Sequence, residues 1–229
     1  MYIKFTILLA SLFAFVSTLS AQIYSADITF GYDSSVFDDG TYDSVGDTWG
    51  RFFDSTGTTP LASDDSVAAI GYFTTEPTSW SANIGVLDDF VFLTQGSVEV
   101  FAGTPYPGDF NITSTNVDVS AGRGETAYFV VFKGITDTAN YASATEFAVL
   151  SSGVWSQLNG SLAPAPPTPL VYTVGRTAIG TGVYVGTEVD DSRFDEDEGF
   201  NYYTTVVPEP STFALLFGLF ALFFTARRR

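Results

Sequence analysis

The sequence predicts an all-β fold, a single sandwich or jelly-roll-like domain, on three observations. Short apolar runs rich in Val, Phe, Ile, Tyr and Thr are separated by clusters of Gly, Asp, Ser and Pro. No stretch of the central region sustains a helical period. One run, Ala127–Phe132, is continuously apolar, the pattern of a central strand buried on both faces. The 229 residues accommodate one core of ordinary size between two terminal segments.

The chain opens with a short basic start ending at Lys4, an apolar run Phe5–Val16 and a polar, small-residue exit Ser17–Ala21. This is the layout of a secretory signal peptide over residues 1–21, with cleavage expected after Ala21 or after Ser20. This 12-residue apolar run is short for a bilayer span, at about 1.5 Å per helical residue against about 30 Å of hydrocarbon.

Residues 22–206 form the expected passenger domain. Candidate strands run over 27–32, 49–53, 66–73, 89–93, 97–101, 111–119, 126–133, 145–150, 154–158, 170–174, 183–187 and 202–206. The segments 145–150 and 154–158 read as a hairpin turning at Gly153. Four prolines between Ser161 and Leu170 exclude a central strand there, leaving a long surface loop or a linker. The 37 residues from Leu170 to Val206 are too few for a second independent core.

Charge and composition exclude much chemistry. Between Gln22 and Val207 there are five basic residues against 25 acidic ones, a net charge of −20 that repels nucleic acid and anionic headgroups. The chain has no His and no Cys. Thiolate nucleophiles, Cys/His zinc sites and Ser-His-Asp triads are therefore impossible.

What remains are carboxylates and aromatics. Asp190, Asp191, Asp195 and Asp197 lie in the densest acidic run and are candidate ligands for a hard cation such as Ca²⁺, which takes six to eight oxygens. Their spacing does not fit the EF-hand loop, and a solvated acidic loop is the plainer reading. No cofactor is otherwise implied. Trp49, Trp80 and Trp155 are candidate sugar-stacking platforms, each also a candidate for the core. Paired carboxylates would serve a glycoside hydrolase, but no pair is marked as desolvated, and the expectation is that the domain is not an enzyme.

The C-terminus carries the most specific pattern. Val207 is followed by Pro208, Glu209, Pro210 and Ser211, then by the uncharged, Phe- and Leu-rich run Thr212–Ala226, then by Arg227, Arg228 and Arg229. Such a run inserts into a bilayer, and the three arginines stay on the cytoplasmic side. The two prolines break any helix before the membrane and hold Glu209 extended. In motif, helix and basic tail, residues 207–229 resemble the PEP-CTERM sorting domain of exported proteins from Gram-negative bacteria that also make exopolysaccharide. The resemblance implies that a membrane-embedded protease, an exosortase, recognises Pro208, Glu209, Pro210 and Ser211 and processes the tail. It implies export across the inner membrane to the envelope, outer surface or extracellular matrix, with membrane attachment through the 212–226 helix before processing and exopolysaccharide as a further partner. The resulting expectation is a non-catalytic structural or adhesive surface protein; a carbohydrate-binding module is the alternative, and a two-carboxylate envelope hydrolase the third.

Overall fold

The computed structural model describes residues 22–32, 51–101, 104–110, 112–151, 157–174, 182–190 and 200–208. The chain is mostly β over these residues, and two sheets face one another across a shared apolar core. The first sheet is built around β1 (Tyr24–Tyr32). The second is built around β8 (Tyr128–Lys133), flanked by β3 (Ser66–Phe73) and β9 (Glu146–Leu150).

The β8 strand shows why its sequence is apolar at every position. Phe129 and Val131 point into the core shared with the first sheet. Tyr128, Val130 and Phe132 point into a second core on the opposite face. Its neighbours divide in the same way: Ala68, Ile70 and Tyr72 of β3 and Ala148 and Leu150 of β9 face the first core, while Val67, Phe73, Phe147 and Val149 face the second. The second core is closed by loop residues rather than by a sheet, with Leu87 from the 3-10 turn Ile84–Leu87 and Ile135 and Ala144 around the 3-10 segment Thr138–Ser143. Strands covered on both sides need no polar alternation.

β4 (Phe90–Gly96) extends the second sheet beyond β3, through a register shift between Ile70 and Gly71. Gly71 is required there, because a Cβ would run into the Val91 carbonyl and the Phe90 ring. On from β4 come β5 (Val98–Phe101) and β6 (Thr104–Phe110), an antiparallel pair. β7 (Ile112–Asp118) then crosses to the first sheet and pairs with β1. Pro105 and Pro107 mark a loop by composition, yet β6 is a strand in a two-stranded pair with β5, and prolines are tolerated in edge strands.

On the other edge of β1 lie β10 (Ser161–Leu162), antiparallel, and β11 (Thr168–Val174), parallel in the register Ala26 with Thr168 to Tyr32 with Val174. The proline-rich segment is thus a loop joining two strands on one edge of β1, and not a linker. The expected hairpin of 145–150 with 154–158 is not formed by the described residues. β9 carries β8 on one edge, while β12 (Val183–Val185) and β15 (Thr205–Val206) share the other. Leu158 is buried and exchanges backbone bonds with Gly124 and Glu125 instead. Residues 152–156, Trp155 among them, lie outside the described residues.

A third, small sheet has the order β13 (Thr187–Asp190), β14 (Phe200–Tyr203) and β2 (Phe52–Phe53). The single expected strand 183–187 is two strands, broken at Gly186, whose φ of +105° carries the chain from one sheet into another. The expected strand 202–206 likewise splits at Thr204 into β14 and β15.

Candidate functional site

The C-terminal extension leaves the fold at β15, and the geometry of that exit is the most developed polar arrangement among the described residues. Thr205 pairs with Phe147 and Val206 with Glu146. The Val207 N–H then donates to the Thr145 carbonyl at 2.8 Å. Pro208 follows, exposed and without an N–H, so the ladder stops there.

Behind this strand sits a charged cluster built from three parts of the chain. Lys133, at the end of β8, places its Nζ 3.1 Å from Glu146 Oε1 and 3.6 Å from Asp54 Oδ2. Glu146 Oε2 accepts from the Ser55 N–H at 2.6 Å and from the hydroxyl of Thr204. Thr204 is buried, and both its N–H and its hydroxyl reach the Phe53 carbonyl. Asp54 Oδ1 accepts from the N–H groups of Thr56, Thr58 and Thr59 and from the Thr56 hydroxyl, closing the loop after β2.

These contacts set the ionisation of the cluster. Burial works to raise the Asp54 pKa, but the hydrogen bonds from Thr56, Thr58 and Thr59 outweigh it and hold the group at about 2. Glu146 follows the same balance: burial raises it, and Thr204, Ser55 and Lys133 bring it below the ordinary carboxylate value. Desolvation works to lower the Lys133 pKa, and Glu146 and Asp54 more than reverse it. All three groups are charged at neutral pH, so the cluster is an ion pair that fastens β2, β8, β9 and the last strand together.

The remaining candidates from the sequence are dispersed. Trp80 is half-buried and packed into the second core, its ring 4.4 Å from that of Tyr184, 5.4 Å from Phe73 and 5.9 Å from Tyr128. Trp49 and Trp155 lie outside the described residues, as do Asp191, Asp195 and Asp197. Asp190 ends β13, so the acidic run begins in a strand paired with β14 and not in a loop. Among the described residues no group of three or more carboxylates is placed to hold a metal ion. A shallow depression of about 350 Å³ is lined by Glu76, Ser79, Ser81, Asn83, Asp88 and Asp89. Several of its polar atoms already have internal partners: Glu76 accepts from the Tyr128 hydroxyl at 2.6 Å, Asn83 from the Gly85 N–H and Asp88 from the Tyr141 hydroxyl. The Tyr128 pKa is raised by burial and by Glu76.

Sequence reading missed the Lys133 cluster. A signal was present, since Lys133 is the one lysine between Gln22 and Val207, but nothing in the order of residues says that Asp54, Glu146 and Thr204 meet it.

Of the tail motif, Pro208 is described, while Glu209, Pro210, Ser211, the 212–226 run and Arg227, Arg228 and Arg229 lie outside the described residues, as does the 1–21 segment. Among the described residues no helix is long and apolar enough to cross a membrane. Fold and exit together define a β-sandwich-like passenger that hands its C-terminal extension out from a strand end. Residues 206–229 match the family described as the PEP-CTERM protein-sorting motif. That sorting signal implies export to the cell envelope or surface and processing by an exosortase. No curated protein and no solved structure matches the chain.

Proposed function

We propose that this protein is an exported, acidic β-sandwich passenger of the cell envelope or extracellular matrix, with a non-catalytic structural or adhesive role, released or transferred when an exosortase processes its tail. The observation that carries the reading is the PEP-CTERM match at 206–229, which begins on the final residue of the last described strand, Thr205–Val206. Residues 1–21 are the export signal and 212–226 the transient membrane segment, with Arg227, Arg228 and Arg229 retained on the cytoplasmic side.

The test uses the full chain in a host that carries the cognate exosortase. Glu209→Ala together with Pro210→Ala is expected to leave export intact and to abolish the mass shift that marks tail processing. A double mutant that shows the same mass shift as the parent overturns the reading.

A further inference from the structure

The distance between the fold and the sorting motif is set by the chain itself. Val207 is still hydrogen-bonded to Thr145. Glu209 follows two residues later, within about 7 Å of contour, and Thr212 five residues later, within about 18 Å. Thr204, just before β15, is buried and bonded to Glu146 and to the Phe53 carbonyl, so the strand end is held to the sheet at its root. An enzyme cleft that encloses Glu209 with one or two residues on either side has no free linker to work on.

We infer that the rim of the tail exit, formed by Val206, Thr145, Gly134 and Asp64, is a docking surface for the membrane enzyme that processes the tail. Thr145 adjoins the exit directly, through the bond from the Val207 N–H to its carbonyl, and Gly134 lies against Thr145, whose N–H donates to the carbonyl of the preceding Lys133. The turn holding Asp64 adjoins them through the Gly134 N–H on the Asp65 carbonyl. All four rim residues are exposed, and Val206, at 55% exposure, is one of the few large apolar side chains that face solvent among the described residues. The passenger is thus part of what the enzyme touches, and its surface there affects how fast the tail is cut. The inference rests on the exosortase reading given above.

The experiment compares four full-length chains in a host with the enzyme: the parent, a rim variant carrying Val206→Arg and Asp64→Arg, and each of these with a Gly/Ser insert of about ten residues between Val207 and Pro208, which adds roughly 17 Å of reach. Both substituted side chains are exposed, so the melting temperature of the unprocessed chain should not move. Tail removal is expected to slow about tenfold in the rim variant, because bulk and charge are placed against the partner, and to return to the parental rate when the insert separates rim from motif. Equal rates for parent and rim variant overturn the docking surface and point to fraying of Thr205–Val207 during cleavage. A deficit that persists with the insert overturns it as well. A parent chain that keeps its tail refutes the exosortase reading instead.

Discussion

The rings of Phe30 and Phe129 stack with centroids 3.7 Å apart and planes 11° from parallel, joining β1 of the first sheet to β8 of the second. Both are fully buried, and Phe52 from the third sheet lies 5.5 Å from Phe129. Three sheets therefore meet on one aromatic ring. Phe129→Ala is expected to destabilise the domain by about 3–5 kcal/mol, read from the midpoint of a denaturant titration. In a double-mutant cycle with Phe30→Ala the two losses should be less than additive, because they share one contact.

Lys133 between Glu146 and Asp54 gives a second expectation. Lys133→Met leaves two partly buried carboxylates facing each other and should cost about 1–3 kcal/mol at neutral pH. Its loss should shrink as the solution is acidified, since protonation relieves the unpaired charge. Thermal melts at several pH values would show whether the gap narrows.

The same carboxylates predict acid sensitivity in the unmodified domain. Their folded-state pKa values lie below the ordinary 3.8 of Asp and 4.5 of Glu, so the stability they add is complete above those values and declines as pH falls through the folded values. For Asp54 that decline extends to about pH 2. Lys133 has the opposite sign: its raised pKa adds stability below 10.5 that is lost only at more alkaline pH. The melting temperature should be flat with respect to these groups from about pH 6 to 9 and fall below about pH 5.

Gly71→Ala tests the bulge between β3 and β4. The added methyl meets backbone, which gives less readily than a side chain, and the cost should be about 1–3 kcal/mol. Gly124→Ala is a useful contrast, since nothing lies within 4 Å of its Cβ position and only its φ of +89° opposes the change. The two variants, compared by chemical denaturation, separate steric cost from backbone cost.

Trp80 separates the adhesive reading from a carbohydrate-binding one. With its ring packed against Tyr184, Phe73 and Tyr128, Trp80→Ala should lower stability by about 2–4 kcal/mol. Glycan-array binding by the parent that disappears in a fully stable Trp80→Ala variant would instead make this ring a sugar platform.

Much of the strand pattern is readable from residue order. Ser66–Phe73 is a strand over the expected bounds, and all of the apolar run but its first residue, Tyr128–Phe132, lies in a doubly covered strand, because a run without polar alternation has no solvent face to offer. The misses have identifiable causes. The prolines of Thr104–Phe110 resemble loop punctuation, yet an outer edge tolerates them. Gly186 and Thr204 break runs that read as single strands, because residue type alone does not reveal where a chain changes sheets. For the expected hairpin at Gly153, whose turn lies outside the described residues, the edge of β9 it would need is occupied by β12 and β15, both distant in sequence.

The sequence by itself determined the β class, the acidic surface and the sorting motif at 206–229, since each is a matter of which residues occur and in what local order. Tertiary structure alone decided that Glu146 would fasten Thr204 and Lys133, that Phe30 would meet Phe129, and that Val207, just before Pro208, would still be bonded to Thr145. Those facts depend on strand pairing between distant segments, where many registers satisfy the same alternation of apolar and polar residues. Only the simultaneous closure of both cores selects among them.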